Sequence, residues 1–327
     1  MTQVDDSVRA YLSPPAQQLF DDIVTQKVLG ASAHIKMISQ MIRDLCSSAH
    51  AQNESAENLN VRIRQLADFF MKTRGEASQA ISNALLIMTN GSSQQTSQDI
   101  DAYMNFVLKK LDDFEKSNQS NLELINQYAQ CVLSKMNSIL LFDYSSTVGK
   151  MIETCDHPLE IFVAESRAFD GGKPYVSPAL KGHHKVHFIP DVAIYFYLKQ
   201  CDGVFIGAET YYADGTVFNT VGAEMVASLC NSFDVPFYVL TTLIKVDMRS
   251  IYGFIKPRLM LDLRKKMLDA LDDQIKDQID YSCPEVVEIP PRLITALITE
   301  AGIVPPSAMF PLSMNYYKEI GGLHKNA

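Results

Sequence analysis

Ile35, Ile38, Ile42 and Leu45 recur at spacings of three and four, as do Leu59, Ile63, Leu66 and Phe70, which puts each set on one stripe of a helix. Nothing in the first 137 residues alternates as a strand would, so residues 1–137 are predicted to form a helical N-terminal domain. Its polar break, Gly91 to Asp99, is rich in Ser, Gln and Thr, and Asp99 is placed to cap a helix running from Ile100 to Lys116.

From residue 138 the pattern changes to short apolar runs: Ile139–Phe142, Leu159–Ala164, Lys185–Ile189, Gly203–Ile206 and Phe237–Leu240. Runs of this length, apolar at both parities, predict parallel strands buried on both faces. Helical stretches separate them at Thr147–Thr154, Asp191–Lys199 and Val221–Phe233. The fold class is therefore α/β, a helical N-terminal domain followed by a Rossmann-like doubly wound parallel sheet over residues 138–327. Further on, the charged stretch Lys256–Lys276 reads as a helical surface excursion, and Pro290-Pro291 as the opening of a helix that ends near Gly302.

Composition narrows the partners. At 47% hydrophobic and 20% charged over 327 residues the chain has apolar surface enough for a real core. A net charge of −9 argues against a general grip on nucleic acid or anionic membrane. No apolar run approaches the roughly 20 residues of a bilayer span, and the acidic start Met-Thr-Gln-Val-Asp-Asp is unlike a signal peptide. A cytoplasmic protein is expected, with no membrane partner and no direct nucleic acid binding. The six cysteines show no metal-finger spacing and read as reduced thiols, and His183, His184 and His187 read as a solvated loop entering a strand, so neither metal nor cofactor is expected.

In a doubly wound sheet ligands bind beyond the carboxyl ends of the strands. After the first strand, Asp143, Tyr144 and Ser145 precede a helix N-terminus that suits an anionic or polyhydroxy ligand, although capping of that helix accounts for Asp143 or Ser145 as well. After the second, Arg167 beside Gly171 and Gly172 suits a phosphate or an ion pair with Glu165. After the fourth, Gly207-Ala208-Glu209 places a carboxylate at the strand end, and the turn Asp214-Gly215 leads to Asn219, Thr220, Gly222 and a helix. Lys245 either faces the same cleft or is solvated, and Arg74-Gly75 opens a helix of the first domain. The aromatic residues around Tyr195–Tyr197 and Tyr211–Tyr212 read as core or interface packing rather than a base-stacking platform, because no basic residues interleave with them.

The string from Phe205 to Ala223, the segment Val235–Val239 and the segment Ile289–Gly302 together resemble the initiation factor 2B family over about residues 60–312. That family joins the alpha, beta and delta subunits of translation initiation factor 2B to the methylthioribose-1-phosphate and ribose-1,5-bisphosphate isomerases. The resemblance implies a helical domain on a Rossmann-like domain, a homodimer through the latter, and a pocket between the two for a phosphorylated sugar or nucleotide. It places the isomerases' catalytic cysteine at Asp143, their catalytic aspartate at Glu209, and their asparagine and lysine at Asn219 and Thr220. The Glu-x-Arg element falls at Glu165–Arg167, and the Arg-Gly element at Arg74 and Gly75. Three of the four catalytic-side positions depart from the isomerase pattern, and Gly207-Ala208-Glu209 with the segment Gly302–Met309 looks like the alpha subunit.

Two functions follow. In one, Asp143 and Glu209 are a carboxyl pair that opens a phosphorylated pentose and moves a proton between C1 and C2, with Arg74, Gly75, Tyr144, Ser145, Arg167, Asn219, Thr220, Gly222 and Lys245 binding the substrate. In the other, the chain is a non-catalytic regulatory subunit that binds a sugar phosphate or nucleotide. Retention of an ionisable group at both catalytic positions favours the enzyme.

Overall fold

The structure, a computed structural model, describes residues 6–28, 30–97 and 99–322. The chain forms two compact units, Met1–Ser120 with Asn315–Ala327, and Asn121–Met314. The first is helical: α1 (Asp6–Arg9), α2 (Pro14–Val24), α3 (Ala31–Ala51), α4 (Ala56–Phe70), α5 (Gln79–Thr89) and the opening turns of α6 (Ile100–Leu133). The apolar stripes form its core. Ile38, Ile42, Leu45, Leu59, Ile63, Leu66 and Phe70 are at most 1% exposed, and Phe20 stacks on Phe69 with ring centroids 5.0 Å apart. Asp99 Oδ1 accepts from Ala102 N at 2.9 Å, as an N-cap should. The helix it starts does not end at Lys116 but continues to Leu133, because Ile125, Ala129 and Leu133 prolong the buried stripe. After α4 the backbone widens into a π-turn, Met71–Gly75, the kind of local irregularity that recurs at functional sites.

In the second unit the five predicted strands are present: β1 (Ser138–Leu141), β2 (Glu160–Ala164), β3 (Lys185–Ile189), β4 (Gly203–Gly207) and, after the hairpin β5 (Thr210–Tyr212) and β6 (Val217–Thr220), β7 (Phe237–Leu240). Helices α7 (Ser146–Glu153), α8 (Val176–Lys181), α9 (Ile194–Tyr197) and α10 (Ala223–Ser232) lie between them in sequence. A four-stranded sheet has the order β11-β6-β5-β8, with β8 at Val246–Asp247 and β11 at Val286–Ile289, and a two-stranded ribbon joins β9 (Met260–Asp262) to β10 (Ser282–Pro284). The main sheet has seven strands in the order β13-β12-β7-β4-β1-β2-β3, where β12 is Ala296–Thr299 and β13 is Gly302–Val304. All neighbours pair in parallel except β12 with β13. β1 pairs with β2 on one side and β4 on the other, so the winding reverses between β1 and β4. That reversal opens a crevice at the carboxyl ends of these two strands.

Two expectations are corrected. Pro290-Pro291 opens a single 3-10 turn, Pro291–Leu293, and no long helix: the chain continues as β12, turns at Thr299–Gly302 and returns as β13. Leu293 and Leu297, and Ile294 and Ile298, have helical spacing, but a central strand buried on both faces carries the same apolar run. Besides β9, the stretch Lys256–Lys276 holds the one-turn helices α11 (Arg264–Met267) and α12 (Asp273–Lys276), each four residues long. Leu263, Met267, Leu271 and Ile275 have helical spacing, but neither helix buries a residue against the rest of the chain, and helices this short in water are not self-sustaining.

Candidate active site at the reversal of the sheet

Asp143 and Glu209 lie just beyond the carboxyl ends of β1 and β4, the two strands that flank the reversal. Asp143 has φ 52°, in the left-handed region that aspartate tolerates better than most residues. Its half-buried carboxyl accepts from Thr220 Oγ1 at 2.7 Å through Oδ2. Burial pushes the acid above its ordinary value, the Thr220 hydroxyl pulls it back, and the neighbouring charge of Glu209 raises it further. Gly171 makes this crowding feasible: a Cβ there would lie 2.2 Å from Asp143 Oδ1.

Glu209 is exposed, and its backbone N–H donates to Phe218 O at 2.9 Å, which ties the end of β4 to the hairpin. Lys245 is drawn into the same place. Its Nζ donates to Ala208 O at 2.7 Å, so it is not the solvated side chain that its position after β7 allowed. Desolvation lowers its pKa, and the charge of Glu209 opposes that shift. The turn that carries Lys245 is held by Glu300, at the carboxyl end of β12, whose Oε1 and Oε2 accept from Leu243 N at 3.1 and 3.0 Å; burial raises the Glu300 carboxyl.

Ser145 caps α7 by accepting from Val148 N at 3.5 Å, and its own N–H donates at 2.9 Å to the phenol of fully buried Tyr175. Tyr144 is 45% exposed and packs its ring 5.2 Å from that of Tyr175. Asn219 is buried and structural: Nδ2 donates to Gly207 O and Oδ1 accepts from Thr220 N, each at 2.7 Å. Gly222 starts α10 at φ 100°, with Phe142 so near that a Cβ would meet its ring at 2.7 Å. Arg167 projects into solvent with Nη1 3.9 Å from Glu165 Oε2, the ion-pair alternative, inside a loop clamped to Asp191.

The structure thus gathers Asp143, Glu209, Thr220 and Lys245, with Tyr144 and Ser145 on the adjoining loop. Arg74 and Gly75 belong to the helical unit. There Arg74 Nη2 donates to Ile23 O and Val24 O, the last carbonyls of α2, at 2.6 and 2.7 Å, while Nε is buried without a hydrogen-bond partner. Sequence reasoning missed Tyr175 and Glu300, and read Gly171 as a neighbour of Arg167 rather than of Asp143. Glu300 lay inside the segment read as a helix, whereas Gly171 follows a strand beside a second glycine, a signal for close backbone approach.

The histidines do not converge on an ion. His184 is buried, accepts from Leu159 N at 3.0 Å through Nδ1, and so donates through Nε2 to Ile152 O at 2.7 Å. Among the described residues one other group, Cys155, Asp156 and His157, brings potential ligand atoms within 4.8 Å of one another. There Nδ1 of His157 is engaged by Asp156 at 2.9 Å and Nε2 by Met136 O at 3.0 Å, and burial raises the Cys155 thiol. Those are the contacts of a tied turn rather than of a ligand set. No helix among the described residues is long and apolar enough to cross a membrane.

A ribose 1,5-bisphosphate isomerase of Methanocaldococcus jannaschii is 20% identical over 307 residues, 92% of this chain and 95% of that protein. The crystal structure of 5-methylthioribose 1-phosphate isomerase from Pyrococcus horikoshii OT3 superposes with a TM-score of 0.72 at 17% identity, over 93% of this chain and 88% of that one. eIF2B beta from Chaetomium thermophilum gives 0.67 at 14% identity, over 98% of both chains. These solved structures share the fold. The model of the initiation factor 2 subunit family matches residues 29–306, and the chain accordingly belongs to that family.

Proposed function

We propose that this protein is a sugar-phosphate isomerase that converts a phosphorylated pentose, or a related sugar, from the cyclic aldose to the open ketose. The observation that carries the reading is the pair of carboxyls in unequal surroundings at the reversal of the sheet, Asp143 shielded and Glu209 exposed beside Lys245. Unequal environments assign unequal proton affinities, which an acid–base pair needs. Asp143, which holds its proton more tightly than an ordinary aspartate, donates it to the ring oxygen as the bond from C1 to that oxygen breaks. Glu209 takes the proton from C2 and returns it to C1, while Asp143 recovers the proton of the C2 hydroxyl, so the acid is regenerated and the hydrogens balance. Lys245 faces the developing negative charge, Thr220, Tyr144 and Ser145 border the sugar, and the solvent-exposed Arg167 on the loop after β2 is the cation left for its phosphate.

The likeness to a ribose 1,5-bisphosphate isomerase over nearly all of both chains supports this substrate class. A cytoplasmic homodimer belongs to the same reading; the dimer is supported by Val192, Tyr195 and Phe196, which are 90%, 56% and 67% exposed, since such an apolar face suits a two-fold contact. Tyr211, by contrast, is fully buried within the chain and contributes nothing to an interface.

The test is product formation from ribose 1,5-bisphosphate and from methylthioribose 1-phosphate, followed by NMR in deuterated buffer. Wild-type protein turns over at least one of them, and Glu209→Gln lowers turnover by about a hundredfold or more with little change in affinity. Binding of either sugar phosphate without any product would replace this reading with the non-catalytic regulatory one.

A further inference from the structure

The loop after β2 contains a polar group for which the site as described has no use. Ser166 is 1% exposed, its φ of 47° is left-handed, and its Oγ is buried without a well-aligned hydrogen-bond partner, yet close enough to Asp143 to pull that carboxyl's pKa down. The backbone around it is fully engaged: Ser166 N and Arg167 N donate to the Asp191 carboxylate at 2.9 Å each, and Phe169 N and Gly171 N donate to Ser166 O at 3.1 and 3.3 Å. Glycine would meet this backbone conformation with less strain. The hydroxyl therefore needs its own reason, since a buried polar group left unpaired is costly.

Its surroundings provide one. A Cβ built on Gly171 would stand 2.2 Å from Asp143 Oδ1 and 3.1 Å from Ser166 Oγ, so the hydroxyl and that carboxyl oxygen border the same small space. Asp143 Oδ2 is already taken by Thr220. We propose that Ser166 is a positioning residue for Asp143: its hydroxyl accepts from the protonated carboxyl and turns to donate to Oδ1 once the proton has left, so that Ser166 and Thr220 then hold one carboxylate oxygen each. A hydroxyl can change roles in this way because it carries one donor and two acceptor lone pairs on a free rotor. The proposal rests on the reading of Asp143 as the proton donor, whose conjugate base must be stabilised inside a shielded site. The other titratable groups that face Asp143 within this unit are Glu209 from the end of β4, the Tyr175 phenol from the turn before α8, and its neighbour Tyr144, with Lys245 acting through Glu209.

The test is a carbon-13 NMR titration of the Asp143 carboxyl in aspartate-labelled full-length protein, with the resonance assigned by its loss in Asp143→Asn. Ser166→Ala and Ser166→Gly each raise the midpoint by about one pH unit, the scale of one hydrogen bond to a carboxylate, and the alkaline limb of the isomerase pH profile, where Asp143 loses the proton it must donate, moves up with it. The glycine variant suits the left-handed backbone and keeps the test decisive if the alanine variant misfolds. An unchanged midpoint in Ser166→Gly overturns the proposal. A shifted midpoint in a protein that isomerises no sugar phosphate leaves Ser166 as the partner of Asp143 and rejects the catalytic reading alone.

Discussion

Gly171→Ala adds one methyl group and replaces no side chain of the proposed chemistry, yet it is expected to be among the most damaging substitutions in the site. The new Cβ would lie 2.2 Å from Asp143 Oδ1 and 3.1 Å from Asp143 Cα. Real Cβ atoms stay beyond about 3.0 Å from other heavy atoms, so the carboxyl must retreat by about 0.8 Å. The contact to Cα blocks a shift of the whole residue, which leaves rotation of the side chain. That rotation breaks the 2.7 Å bond from Thr220 Oγ1, a charge-assisted contact worth about 1.5–3 kcal/mol when Asp143 is ionised. By RT ln k this is a factor of about 10–150, and displacement of a reacting group by about 1 Å costs about a hundredfold on its own. Turnover of ribose 1,5-bisphosphate is therefore expected to fall about a hundredfold, while calorimetric affinity changes less than about threefold, because Lys245 and Glu209 are untouched. A Gly171→Ala protein with wild-type turnover would show that the Asp143 carboxyl has no required position, and the acid assigned to it would be wrong.

Three more outcomes are expected. Because burial raises Asp143 in the folded chain, the folded state keeps this proton to a higher pH than the unfolded state, and stability falls as pH rises from about 3.8 through the folded value; Asp143→Asn lacks that loss and is more resistant to urea than wild type at pH 7, the difference shrinking toward pH 4. Arg74→Met leaves the Ile23 and Val24 carbonyls without their guanidinium and lowers unfolding free energy by about 2–4 kcal/mol, read from denaturant melts, with Arg74→Lys recovering part of it. Phe196→Asp, at a side chain 67% exposed, leaves a 36.6 kDa species in light scattering where wild type scatters at twice that mass.

The order of elements was legible in the sequence wherever a single local period decided the structure. The three-and-four spacing of Leu59, Ile63, Leu66 and Phe70 admits only a helix with one buried face, and the short apolar runs read as strands; four of the five are covered on both sides, whereas β3, with Lys185 and His187 on one parity, takes the sheet edge and stays largely uncovered. Their carboxyl ends then located Asp143 and Glu209 before any coordinates, since a doubly wound sheet has one kind of place for a site. The sixth parallel strand, Ala296–Thr299, was hidden because its apolar residues match both a helix and a central strand, and only pairing with β7 decides between them.

What the tertiary structure alone decided is which side chains share a space. Lys245 sits five residues past a strand, a position compatible with solvent, and becomes part of the site only because Glu300 fixes its turn and the Ala208 carbonyl receives its ammonium. Asn219 and Thr220 are adjacent, yet one holds the sheet and the other holds Asp143, because neighbouring residues on β6 point to opposite faces. Ser166 and Gly171 meet Asp143 across more than twenty residues of chain. Local periodicity records which face of an element is buried; it carries no record of what lies opposite that face, since that depends on strand order and register, which are set by the whole sheet at once.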